Sequence, residues 1–382
     1  MSADSSLHRR DEFAGLTALR APLVWWVAVY HLAMPGAWLD PAGLWWPLAN
    51  LLRSCLAVDI IFIFSGYLLA RVYWNLEGDQ VGRFARSRVA RLLPMHLVGL
   101  LLCLPFVLAA GTYHPGLLPL VALLCACCLQ AWIPSLALAI NPPSWSIAAE
   151  AFFCACFPVF QPLMRRLTSA TACLWWLGAA WMLAVIPCWI LSRADPALAG
   201  LTLNQAWRSD GTVAHVVKYL PIIRLPEFVA GMLLCAWHRH RDWGGDGRLL
   251  VPLGAGLILG GVAMLAGVLP YAPAHNGLFL PAACLLIVGL ADRRWSRTVL
   301  AHPRIARLGH ASFSFFVLHT PMAMIAGSLA KRIPVLGAIP APVFGILVLA
   351  ATQVAAIAAL RWLEEPLRQR LRSPLLPKAA TA

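Results

Sequence analysis

Residues 172–192 read ACLWWLGAAWMLAVIPCWILS, twenty-one positions without a charged side chain. A helix of that length rises about 31 Å, enough to cross the hydrocarbon core of a bilayer. Backbone polar groups find no water there, so a helix that pairs its own is the form such a run takes. The chain carries seventeen Trp, a residue that favours membrane interfaces.

The rest of the chain repeats the pattern. Eleven apolar segments lie near 16–35, 53–73, 92–111, 115–136, 145–163, 172–192, 219–237, 249–268, 276–291, 312–330 and 340–360. Hydrophobic residues make up 60% of the 382 and charged residues 12%, about half the charged share of a soluble domain. No soluble domain longer than about thirty residues fits between the segments, and no repeat or low-complexity tract interrupts them. The expectation is an all-α polytopic transmembrane helix bundle. It forms one domain over 1–372, with a loose tail at 373–382.

The formal net charge is +14. No basic soluble domain stands apart from the spans, which argues against nucleic acid as a partner. The cations gather in particular loops instead. One loop holds Arg83, Arg86, Arg88 and Arg91; another holds Arg165 and Arg166. Further clusters run from His238 to Arg248, from Arg293 to Arg307, and through Arg368, Arg370 and Arg372. By the positive-inside rule these face the cytoplasm, and the uncharged loops at 137–144 and 269–275 face outward. Strict alternation leaves one crossing for the stretch 92–144, which contains two apolar segments. One of the two is therefore short or re-entrant, leaving about ten spans and both termini cytoplasmic.

The eleven Cys lie mostly inside apolar runs, as Cys125, Cys127 and Cys128 do, where a thiol acts as a small hydrophobe. Their spacing calls for neither a metal nor a disulfide framework. The N-terminus carries His8, Arg9, Arg10, Asp11 and Glu12 and lacks a signal-peptide cleavage pattern, so no cleavage is expected.

Polar groups inside a bilayer are expensive and are functional candidates for that reason. Here they are Arg20, His31, Asp59, Glu150, Arg224, Glu227 and His319. Arg20 and His31 stand eleven residues apart. That separation returns to the same helix face within about 20° and spaces them about 16 Å along the axis. An interfacial Arg suits a phosphate or carboxylate, and a His deep in a cleft suits general-base work. The plainer alternative is a snorkelling Arg and an interfacial His near Pro35. Asp59 opens an apolar run ending in Ser65-Gly66, a pair that permits close helix packing. Ser146 and Glu150 share a face at i, i+4, after Asn141-Pro142-Pro143. Arg224 and Glu227, at i, i+3, are placed to pair with each other. His319 follows Ser312 by seven residues and precedes Pro321.

Taken in order, these residues resemble the acyltransferase-3 family of bacterial membrane O-acyltransferases, over almost the whole chain. The hallmark Arg, ten residues, His is matched by Arg20 and His31. Asp59 with Ser65-Gly66 follows, then an Arg-rich run through Arg86, Arg88, Arg91 and Pro94. Trp145, Ser146 and Glu150 match a Trp-Ser-x-x-x-Glu motif; Arg224, Phe228 and Gly231 match Arg-x-x-x-Phe-x-x-Gly. Ser312, His319 and Pro321, then Glu364 and Pro366, complete the series. Two departures stand out: Phe313 and Phe316 where Tyr is frequent, and Ala151 where another acid or Gln is frequent. Some members carry a fused esterase-like domain, and none is expected here.

The resemblance implies an acyl-CoA donor, usually acetyl-CoA, and an acceptor hydroxyl on a cell-envelope carbohydrate, exopolysaccharide or lipid-linked glycan. It implies no permanently bound cofactor and no metal. Membrane lipids would be the other partner, in a bacterial inner (cytoplasmic) membrane. Arg20, Arg86, Arg88 and Arg91 would meet the donor's phosphates. His31 would take the hydroxyl proton or carry the acyl group briefly, with Glu150 orienting it. Asp59, Trp145, Ser146, Arg224 and His319 would complete the substrate site. A Glu150–Arg224 salt bridge is the structural alternative for Glu150. A transporter or flippase is the rival class, and a membrane-bound O-acyltransferase of the other large fold the rival enzyme.

Overall fold

A computed structural model of the chain describes residues 14–241 and 247–372. The charged N-terminal residues 8–12 and the tail 373–382 lie outside the described residues. Fifteen helices of eight residues or more make up the fold. They are α1 (Ala14–Leu32), α2 (Trp46–Arg53), α3 (Ala57–Val72), α4 (Val81–Ala110) and α5 (Leu118–Ala126). Then come α6 (Ser144–Arg165), α7 (Ala170–Ala194), α8 (Thr212–Tyr219), α9 (Pro221–Arg239) and α10 (Leu250–Leu265). The last five are α11 (Leu280–Leu290), α12 (Pro303–His310), α13 (Ser312–Arg332), α14 (Ala341–Ala359) and α15 (Glu365–Arg372). No strand occurs among the described residues; one isolated bridge pairs Thr202 with Pro270.

The protein is a multi-pass membrane helix bundle. Eight stretches among the described residues are long and apolar enough to cross a membrane, and α2 with α3, bent by 52°, makes a ninth. That is eight or nine crossings by length and composition against the ten expected; α1, at 19 residues, carries Arg20 and His31, falls short of the same apolar standard, and packs against α3 and α13. The two segments expected between 92 and 144 resolve clearly. The 30 residues of α4 reach about 45 Å, beyond the hydrocarbon slab, and stop at Gly111 in a left-handed turn (φ 60°). α5 has nine residues, about 14 Å, and cannot cross. Single-turn helices at Gln130–Trp132 and Pro134–Leu136 return the chain toward α6.

The bundle buries an ionic cluster in a largely apolar core and leaves large apolar side chains exposed. Trp175 is 77% exposed, while Arg224 is 0%, Glu227 1% and Asp59 4% exposed. In water that distribution would be unstable; in lipid it is the favoured one. α9 forms the centre and packs most extensively against α3 and α7. The approach of α3 to α9 depends on Gly66 and Gly231. A Cβ at Gly66 would run into the backbone of Phe228, and one at Gly231 into that of Ile63 and Tyr67.

Candidate active site

Two cavities share α1 and α13 as walls. The first, about 230 Å³, is walled by α1, α3, α4, α6 and α13, and Arg20, Ser65, Arg88, Arg91, Ser146 and Glu150 line it. Three guanidiniums thus face one carboxylate. Arg20 lies over the Phe64 ring at 5.2 Å from its centroid. Arg88 donates to Tyr73 Oη at 3.2 Å and lies over the same ring at 5.4 Å. Glu150 accepts from Ser65 Oγ at 2.5 Å. Arg88 and Arg91 reach the cavity because they lie three residues apart on α4, where i and i+3 share a face. Arg86, on the other side of that helix, is exposed and does not line the cavity.

The second cavity, about 290 Å³, is lined by His31 and His319 together with Ala28, Pro142, Met324 and Thr352. The two imidazoles have ring centroids 5.3 Å apart at 32°. Along α1, positions 20, 23 and 24 line the first cavity and 28, 31 and 32 the second. The same-face reading of Arg20 and His31 therefore holds, with one helix carrying each residue into a different chamber. α13 does likewise, with Ser312, Phe313 and Phe316 below and His319 and Thr320 above. Phe316 stands between the chambers, its ring 5.7 Å from that of His319. The stretch between α5 and α6 contributes Pro142 to the upper chamber. Asn141 donates to the Val317 carbonyl at 3.3 Å, which seats the neighbouring Pro142 against it.

The remaining predicted residues form a separate ionic cluster. Arg224 on α9 donates to Asp59 on α3 at 2.5 Å, to the His275 carbonyl at 2.8 Å, and to the Asn276 side chain. Glu227 stands 3.0 Å from the same guanidinium, as the i, i+3 spacing predicts. Asp59 and Arg224 line neither cavity described above. The structural alternative for Glu150, a bridge to Arg224, is therefore corrected: Arg224 is held by Asp59 and Glu227, and Glu150 by Ser65. Nor does a hydrogen bond join Glu150 to His31 among the described residues; the two line different chambers. Trp145 is buried, edge-on to Phe62 at 5.9 Å and tilted onto Tyr219 at 5.0 Å. It is a packing element of the wall rather than a lining residue.

Sequence reasoning missed three polar groups. Lys218 is 7% exposed, donates to Ser209 Oγ at 2.9 Å, and lies 5.3 Å from the centroids of Tyr219 and Tyr271. It precedes the predicted start of its span by one residue. His275 ends the stretch read as an uncharged outer loop, and Asn276 opens the apolar segment read as 276–291. Non-helical backbone at Asn276 and Gly277 breaks the span there and turns Asn276 inward to Arg224. Irregular backbone at membrane depth is tolerated where protein covers it. Trp181 does so in part, donating to the Gly277 carbonyl at 2.9 Å. The buried Asn276 could have drawn notice as a polar pair with Gly277 inside an apolar stretch.

A family model described as an acyltransferase domain, Acyl_transf_3, matches residues 13–361. The chain belongs to the acyltransferase-3 family. It is 31% identical over 280 residues to "Acyltransferase MdmB" of Streptomyces mycarofaciens, covering 69% of this chain and 67% of that one. No solved structure matches it. The protein is thus a membrane-embedded acyltransferase, and the transporter reading gives way. Every residue of both chambers lies within the stretch that the family model matches.

Proposed function

We propose that this acyltransferase-3 protein moves an acyl group, most simply acetyl, from acyl-CoA to a hydroxyl of a cell-envelope carbohydrate. One observation carries the reading: α1 and α13 each line two cavities, one with three guanidiniums against one carboxylate and one holding two histidines. An excess of buried cations is costly without an anion, and CoA brings a diphosphate and a 3′-phosphate. Guanidiniums grip phosphate oxygens in pairs, and Tyr73 and Phe64 hold two of them in place.

With the phosphates at Arg20, Arg88 and Arg91, the pantetheine arm extends along α1 toward His31. A helix rise of about 16 Å between Arg20 and His31 is within reach of that arm. The acceptor hydroxyl enters the second chamber. His31 takes its proton as the oxygen attacks the thioester carbonyl. The carbon–oxygen bond forms, the carbon–sulfur bond breaks, and the proton passes from His31 to the departing thiolate. Products are the acylated hydroxyl and free CoA. Direct transfer is favoured, since neither chamber is lined by a Cys, and two of the three lining Ser residues have other duties. Ser65 holds Glu150, and Ser146 donates to the Pro143 carbonyl at 3.0 Å. Glu150 offsets part of the positive charge and keeps the guanidiniums apart. The basic N-terminal end of α4 and the loops at 165–166 and 293–307 support a donor on the cytoplasmic side of a bacterial inner membrane.

Binding of radiolabelled CoA to purified protein in lipid nanodiscs tests the donor assignment. Arg88→Ala and Arg91→Ala variants should each lose at least about tenfold in affinity, one charge-assisted contact's worth. Unchanged affinity in both would remove the donor from this cavity.

A further inference from the structure

We propose that the acceptor is a vicinal diol, offering one hydroxyl to His31 and the adjacent one to His319. The proposal rests on the reading of His31 as the base and deepens it by naming what the second histidine holds.

The argument starts from His319. Its Nδ1 lies 2.6 Å from the Phe316 carbonyl oxygen. A carbonyl can only accept, so Nδ1 carries the hydrogen and donates. The neutral ring then has its lone pair on Nε2. His319 is 5% exposed, and its Nε2 has no hydrogen-bond partner among the described residues. A buried acceptor left in that state costs about 1–3 kcal/mol, and that is recovered when a ligand brings a donor. His31 shares the chamber and makes ring contacts to Tyr30 and His319 without a hydrogen bond among the described residues.

The other walls narrow the ligand. Ala28, Leu32, Ala323, Val348 and Leu349 are apolar, the Thr352 hydroxyl is spent on the Val348 carbonyl at 2.7 Å, and Thr320 adds one hydroxyl. No acidic side chain lines the chamber to hold an ammonium group, and no cation lines it to hold an anion. A ligand there must donate hydrogen bonds while carrying no charge. One hydroxyl has one proton and satisfies one imidazole. Two imidazoles with centroids 5.3 Å apart therefore call for two O–H donors on neighbouring carbons. During transfer the hydroxyl at His31 gives up its proton and becomes the ester. Its neighbour keeps its proton and stays on His319. His319 is thus a positioning and specificity residue.

Simple alcohols make the test. Purified wild type in nanodiscs is given acetyl-CoA and either trans-1,2-cyclohexanediol or cyclohexanol, and ester formation is followed by mass spectrometry. The diol should be preferred about tenfold or more in kcat/KM. His319→Asn keeps an amide donor for the Phe316 carbonyl but lacks the Nε2 lone pair, and should bring the ratio close to one. His319→Leu, which has no acceptor, serves as a second variant should the first not fold. A wild-type ratio near one, a preference that survives the His319 substitution, or no esterification of the diol each overturns the proposal. Failure of the underlying reading looks different: His31→Ala would then esterify both alcohols at the wild-type rate, whatever their ratio.

Discussion

Arg224 on α9 donates to Asp59 on α3 at 2.5 Å across 165 residues of sequence, and both side chains are buried. Neither lines the first or the second cavity, so the pair holds the central helix against α3, a wall of the first cavity. Removing one partner of a buried pair leaves an uncompensated charge, at a cost of about 3–5 kcal/mol. Arg224→Ala should therefore lower the thermal midpoint in detergent sharply and reduce expression. Arg224→Lys should recover only part, because it cannot reach Asp59, Asn276 and the His275 carbonyl together. A folded Arg224→Ala protein with a normal midpoint and lost CoA binding would instead make Arg224 a substrate ligand.

Glu150 and Ser65 give a second prediction. The carboxylate accepts from Ser65 at 2.5 Å and faces the guanidiniums of the donor cavity. An amide can accept the same hydrogen bond without the negative charge. Glu150→Gln should therefore tighten CoA binding, by roughly two- to tenfold for one partly screened charge. Ser65→Ala frees the carboxylate and should weaken binding. Equilibrium binding decides it; weaker binding in Glu150→Gln would show that the carboxylate orients the cations rather than opposing the donor's charge.

Arg20 gives a kinetic prediction. Arg20→Ala should raise the KM for acyl-CoA by about 10- to 100-fold and leave the KM for the acceptor nearly unchanged. Arg20→Lys should restore part of the loss, because a point charge replaces a two-pronged grip. An unaltered donor KM with a raised acceptor KM would move Arg20 to the other substrate.

The glycines at the α3–α9 crossing give a structural control. Gly66→Ala and Gly231→Ala each put a methyl group into the opposing backbone. Overpacking of that kind costs about 1–3 kcal/mol, read as a fall in thermal midpoint. No fall in either variant would mean that the helices are not in such close contact.

Much of this was legible in the sequence because membrane burial imposes one-dimensional patterns. Span length set the helices, and charge alternation required that one segment between 92 and 144 fail to cross, as α5 does. The helical period put Arg20 and His31 on one face. The partners were not legible, because they depend on which helices meet. The sequence reads Glu150 against His31 or Arg224, and Ser65, 85 residues away, holds it. The break at Asn276 and Gly277 was hidden too, since a short polar interruption reads as a loop unless neighbouring helices are known to cover it. Arg86 has the residue type and spacing of its neighbours but lies off the donor face, a difference of helical angle that loop-level reading does not resolve.

The central claim is that acyl-CoA in the cationic cavity is used at His31. Its most direct test is acyl transfer from [14C]acetyl-CoA to a hydroxyl acceptor by purified protein, comparing wild type with His31→Ala at equal folded concentration. The account predicts label in ester linkage with wild type. With His31→Ala, transfer should fall by about 10²- to 10⁴-fold, the usual worth of a positioned base, while CoA still binds with wild-type affinity. Wild-type transfer rates in His31→Ala would contradict it.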